Sequence, residues 1–180
     1  MRAFAFVVSL LVIAPTARAV DGMSVVLGTS DSSYASVDMV RIGVQWNWSK
    51  RWALGQNWHI GGYWELDFGY WSNDSPRKTN NGMTDIGFTP TFRLQQNSMG
   101  AFSPYVEGAI GFHLLSDTSV SEWRRFSTKF QFGEHLGLGI RFGHKHAMDL
   151  GYRYQHLSNA GIKHPNHGIE FHQVRFQYHY

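Results

Sequence analysis

Apolar and polar residues alternate with a period of two through eight segments of the chain, at roughly 22–29, 37–48, 56–70, 83–95, 102–115, 129–143, 146–158 and 169–180. A period of two is that of a β-strand, whose side chains leave opposite faces in turn. In the second segment Val40, Ile42, Val44, Trp46 and Trp48 oppose Arg41, Gly43, Gln45 and Asn47. In the third, Trp64, Leu66, Phe68 and Tyr70 oppose Tyr63, Glu65 and Asp67. The fourth sets Ile86, Phe88 and Phe92 against Asp85, Thr89, Thr91 and Arg93, and the fifth and sixth continue in the same way.

A soluble sandwich or a lipocalin-like barrel would alternate too, so further features have to decide. Most segments span 12–15 residues, more than the 5–6 usual in globular strands and enough to cross a bilayer at a tilt. The polar face carries charges in most strands (Glu65, Asp67, Asp85, Arg93, Glu107, Arg141, Asp149, Arg153 and Arg175), which suits the hydrogen-bonded interior of a small barrel. Aromatic residues gather near strand ends, where interfacial girdles lie. Connections after the even-numbered strands (49–55, 96–101, 144–145) are short, and those after the odd-numbered ones (30–36, 71–82, 116–128, 159–168) are longer and polar. That is the pattern of periplasmic turns and outer loops. The chain also finishes on an alternating strand ending in Tyr180, like bacterial outer-membrane proteins. The expected fold is all-β, an eight-stranded antiparallel transmembrane β-barrel over 20–180 with its apolar register facing lipid.

Composition sharpens this picture. A basic Arg2, an apolar stretch over 3–14 and the small-x-small Ala17-Arg18-Ala19 predict a secretory signal peptide over 1–19. Arg2 and Arg18 belong to that leader, and without them the chain is nearly balanced in charge, which gives no support to a nucleic-acid partner. An exported chain with no cysteine must hold together without disulfides. No later stretch approaches the ~18 apolar residues of a transmembrane helix.

On this orientation strand seven reaches the outside at its C-terminal end, and three polar groups there fall in the lipid-facing register: His156, Ser158 and, two residues into strand eight, Glu170. Antiparallel pairing about the 159–168 loop brings Glu170 beside the other two. Each alone reads as an interfacial polar residue at a barrel rim. Together they are the parts of a nucleophilic hydrolase. The stretch Tyr-Arg-Tyr-Gln-His156-Leu-Ser158-Asn159-Ala-Gly161, followed by Pro165-Asn166 and Gly168-Ile-Glu170, resembles the motif of the outer-membrane lipid A 3-O-deacylases, the PagL family. The resemblance implies Ser158 as nucleophile, His156 as general base and Glu170 as the group that orients the imidazole. It also implies an oxyanion hole near Asn159 and Gly161, with backbone N–H groups as donors, and Asn166 in support of that hole or its loop. Lipopolysaccharide, through its lipid A, is then the substrate, outer-membrane lipids are the surroundings, and no cofactor is required. The site would lie near the outer leaflet.

Other signals carry less. His144 and His146, or His164 and His167, have metal-ligand spacing, but the pairs sit at opposite ends of the expected barrel and no metal site is assigned. Glu134 in the apolar register of strand six is a second carboxylate expected opposite His156. Arg125, Lys129 and Lys163, with Arg77, Lys78 and Arg124, are loop cations that could meet lipid A phosphates, although solvated charge is the simpler reading. A non-enzymatic barrel for adhesion or envelope integrity, or an outer-membrane phospholipase, are the competing functions.

Overall fold

Residues 19–30, 32, 34–97 and 100–180 are described by a computed structural model; of the leader expected over 1–19, only Ala19 falls within them. The long strands are β1 (Gly22–Ser30), β2 (Val37–Asn47), β3 (Trp58–Asn73), β4 (Gly82–Gln96), β5 (Phe102–Leu115), β6 (Phe130–Phe142), β7 (Met148–Ser158) and β8 (Ile169–His179). Each pairs antiparallel with its neighbours in the chain, and β8 pairs with β1 from Gly22–His179 to Ser30–Phe171. The sheet is therefore closed, and its long strands have no free edge. Expected strand bounds hold to within three residues, the largest difference being β3, which runs on to Asn73 because Trp71 faces inward and is fully buried.

The wall sorts its residues as the alternation demands. Val25, Ile42, Leu66, Phe88, Ile110, Leu138 and Phe176 point outward and are exposed, forming an apolar belt. Aromatic residues cluster on it towards the short-turn end, where Trp48 packs on Phe92 at 4.8 Å, and Trp64 stacks on Phe88 at 5.4 Å. The inward register holds an ion-pair network. Arg153 reaches Glu107 at 2.7 Å and Glu65 at 2.9 Å, Arg93 reaches Glu107 and Asp149 at 2.7 Å each, and Arg175 reaches Glu65 at 3.0 Å.

The interior is not polar throughout. Towards the long-loop end, inward positions become apolar, and Val37, Met39, Trp71, Met83, Leu115, Leu157, Ile169 and Phe171 join Val120 and Phe126 from the β5–β6 connection in one buried cluster. Trp71 meets Phe171 at 4.8 Å and Phe126 at 6.5 Å. The connection folds back over the lumen, so these strand ends are covered by protein instead of water. Within it, Ser119–Ser121 and Arg124–Arg125 form a small hairpin where the sequence suggested only loop. At the opposite end, the β2–β3 connection is more than a turn: Trp52–Leu54 doubles back on Trp58–Ile60, helped by Gly55 at φ +67°.

Candidate active site

Register places the candidate groups. β7 and β8 pair Leu157 with Ile169 and His156 with Glu170. Leu157 and Ile169 are fully buried in the apolar cap, and a slip of one residue would turn them out to the surroundings, so the cap locks the register. Alternation then obliges His156, Ser158 and Glu170 to face outward, where all three are partly exposed.

His156 Nδ1 lies 2.8 Å from Glu170 Oε1, with the imidazole 38% and the carboxylate 27% exposed. A carboxylate at Nδ1 selects the tautomer with its proton there and leaves Nε2 as the acceptor. The ring rests on the backbone of Gly168, where an added Cβ would come within 2.6 Å of His156 Cε1 and 3.2 Å of Nε2. Gly168 has φ +61° and stands opposite Ser158 if the strand register is continued. Among the described residues, Ser158 Oγ has no hydrogen bond to the imidazole, and such contacts are commonly loose before substrate arrives. Glu134 also stands opposite His156, across β6, as expected, but the imidazole's carboxylate partner is Glu170.

The 159–168 loop gathers Asn159, Gly161 and Asn166, with an internal wiring the sequence did not reveal. The Asn159 N–H donates to Asn166 Oδ1 at 3.0 Å, and the Gly161 N–H donates to Asn159 Oδ1 at 2.9 Å. Asn159 is itself buried and donates through Nδ2 to the carbonyls of Phe126 at 2.6 Å and Lys163 at 2.8 Å. The N–H groups of Asn159 and Gly161 are thus themselves engaged within the loop near which the oxyanion hole is expected. The Ala160 N–H instead turns towards Ser158 Oγ, at 3.5 Å.

Beside the His–Glu pair the wall is hollowed. A groove of about 600 Å³ crosses β4 to β7, with His156 and Glu134 at its margin and Phe92, Ile110, Leu136 and Tyr154 along it. Its floor includes Pro90 and Gly108, small or flat residues in the outward register. Pro90 and Gly108, on adjacent strands with the bulky Phe92 and Ile110 next along, were the signal available in the sequence.

The loop cations separate. Arg125 and Lys163 are exposed on connections that meet, since Arg125 and His167 exchange contacts at 3.1 and 3.2 Å, and Lys129 is exposed just before β6. Arg77 pairs with Glu122 and Lys78 with Asp74. The histidine pairs lie at opposite ends of the barrel, His146 on the Gly100 carbonyl and His167 on the Arg125 N–H. Inside the lumen, Asp67, Asp85 and His113 converge within 4.8 Å, but Arg41 already compensates them, at 3.0 Å from Asp67 and 2.5 Å from Asp85.

An eight-stranded barrel belted with apolar side chains and bearing an imidazole–carboxylate pair on that belt falls in the class of outer-membrane β-barrel proteins. Residues 38–179 match the profile of the lipid A 3-O-deacylase (PagL) family, and the chain belongs to that family. It is 28% identical to the lipid A deacylase PagL of Pseudomonas aeruginosa over 162 residues, covering 90% of this chain and 87% of the relative. It is 34% identical to the PagL of Bordetella bronchiseptica over 126 residues, 66% of each chain. The crystal structure of the outer membrane enzyme PagL superposes with a TM-score of 0.77 at 26% identity, covering 88% of this chain and 99% of that one.

Proposed function

We propose that the protein is a lipid A 3-O-deacylase that works by a Ser158–His156–Glu170 mechanism at the outer-leaflet side of the outer membrane, in the barrel formed by 20–180 after removal of a leader over 1–19. The observation that carries the mechanism is the 2.8 Å hydrogen bond between His156 Nδ1 and Glu170 Oε1 on the outward face of the wall. Ser158 is two residues further along that face. Family membership supports the substrate.

Ser158 Oγ attacks the carbonyl carbon of the ester at the 3-position, and its proton passes to His156 Nε2. Glu170 stabilises the imidazolium that results. The Ala160 N–H, with the loop organised by Asn159, Gly161 and Asn166, is the local donor for the tetrahedral oxyanion. Collapse breaks the bond to the sugar oxygen, which leaves with the proton from His156, and the acyl chain stays on Ser158. Water, activated by the same imidazole, then releases it as a fatty acid. The groove from His156 across Leu136, Ile110 and Phe92 is apolar and opens to the lipid side, so the acyl chain can reach Ser158 without passing through water. Arg125, Lys129 and Lys163, exposed on or beside the long loops, would meet the anionic phosphates.

Mass spectrometry of lipid A from membranes containing wild type, Ser158→Ala or no protein tests this reading. Loss of one 3-linked acyl chain with wild type alone is the expected result. Continued deacylation by Ser158→Ala overturns the mechanism, and unchanged lipid A with folded wild-type barrel overturns the substrate.

A further inference from the structure

The small hairpin on the β5–β6 connection has a role that its solvent-facing charge would not suggest. Arg124 is half-buried there, and its guanidinium is directed into the protein. Nη1 donates to the carbonyls of His167 at 2.9 Å and Gly168 at 2.7 Å, and Nη2 donates to Ser32 Oγ on the β1–β2 connection. One planar fork therefore ties together three of the four long connections. Its neighbours reinforce the tie. The Arg125 N–H donates to His167 Nδ1 at 3.1 Å, the His167 N–H donates back to the Arg125 carbonyl at 3.2 Å, and Asn159 Nδ2 holds the Phe126 carbonyl at 2.6 Å. The 159–168 loop is thus fastened to 124–126 at its beginning and at its end.

The end matters most for chemistry. Gly168 is the surface on which the imidazole of His156 rests, close enough that an added Cβ would lie 2.6 Å from Cε1. From Ile169 onward the backbone is fixed by the strand register and the apolar cap. Gly168 itself, at φ +61°, depends on the loop for its position. We propose that Arg124 is a positioning residue: by clasping the carbonyls of His167 and Gly168 it sets the shelf under His156, and so aims Nε2 at Ser158. The inference rests on the catalytic reading above. It assigns to Arg124 a role unlike that of Arg125, Lys129 and Lys163, which are exposed. A guanidinium offers several donors in a fixed plane, whereas an ammonium is a single point, so lysine can restore only part of the clasp.

The test uses the full-length barrel refolded into lipid, with folding checked by heat-modifiable electrophoretic mobility. The labelling rate of Ser158 by a fluorophosphonate reports activation of the serine without requiring lipid A, and steady-state kinetics on lipid A separate kcat from KM. Displacement of a catalytic group by a remote change costs up to about 10²-fold, so Arg124→Ala should lower both labelling and kcat by about 10- to 100-fold. KM should stay within about twofold of wild type, because no substrate contact is removed. Arg124→Lys should fall between. Labelling of folded Arg124→Ala at the wild-type rate, or a rise in KM with kcat unchanged, overturns the proposal. If Arg124→Ala does not fold, Arg124→Lys, which keeps the charge but not the planar fork on the His167 and Gly168 carbonyls, carries the same test: a severalfold fall in labelling supports the clasp, and a wild-type rate overturns it. Failure of the catalytic reading looks different, because then wild-type protein is not labelled at Ser158 at all.

Discussion

Carboxylates meet basic side chains on both sides of this barrel wall, and the two sides use them in opposite ways. Inside, Arg41, Arg93 and Arg153 each bridge two carboxylates, and every one of these side chains is almost completely buried. A charge in so little water is tolerable only with opposite charge close by, and each of these guanidiniums is compensated by two carboxylates. Outside, Glu170 meets one imidazole, and both groups remain partly exposed. That pair keeps a nitrogen and an oxygen in reserve. Mutual compensation fits a structural role, and spare bonding capacity beside a groove is what the proposed mechanism requires.

The sharpest way to break this contrast is to remove groups one side at a time. Ser158→Ala or His156→Ala should abolish lipid A deacylation, a loss on the order of 10⁶-fold, while thermal unfolding of the barrel stays as in wild type. Glu170→Gln should lower kcat by about 10⁴-fold by disturbing the imidazole tautomer. Glu134→Gln, a carboxylate at the same height on the other flank of His156, should change the rate by about threefold at most, since that flank does not bind the ring. If Glu134→Gln proved the more damaging, the orienting role would move to β6. The interior should answer in the other currency of measurement. Glu107→Gln breaks contacts to both Arg93 and Arg153, and should destabilise the folded barrel by about 3–5 kcal/mol in urea titrations. Molecules that still fold should deacylate at a near-normal rate. Gly168→Ala should cost about 10²-fold in kcat, because the methyl group has no room beside the imidazole. Smallest of all, alanine at Arg125, Lys129 or Lys163 should raise KM a few-fold each, an effect that fades as salt screens exposed charge.

Much of this was legible in the sequence, for identifiable reasons. The eight strands follow from alternation that rarely breaks, and the pairing of His156 with Glu170 follows from the length of the 159–168 connection. Glu134 opposite His156 was legible in the same way. What the pattern could not show were contacts between residues remote in the chain. Phe126 and Val120 look like loop residues, and become core only when their connection folds over the lumen. Arg124 and Arg125 are indistinguishable as letters, yet one guanidinium is bound by three residues and the other is exposed. An oxyanion hole was expected near Asn159 and Gly161, but the sequence could not show that the N–H groups of these two residues donate to side-chain carbonyls of the same loop. Backbone donors are invisible in a sequence, and so is their occupancy.

The cap of Trp71, Phe126, Phe171, Leu115 and Leu157 has an electrical consequence. Eight strands enclose a space just wide enough for their own side chains. Here the middle of that space is crossed by locked ion pairs, and one end is closed by packed hydrocarbon. A dissolved ion entering from the short-turn side would meet fixed charges already neutralised by one another, and then a layer that offers no ligand to replace its water. The barrel should therefore behave as an insulator. Reconstituted into a planar bilayer, it should add no steady current at any modest voltage, even while its outer surface engages lipid.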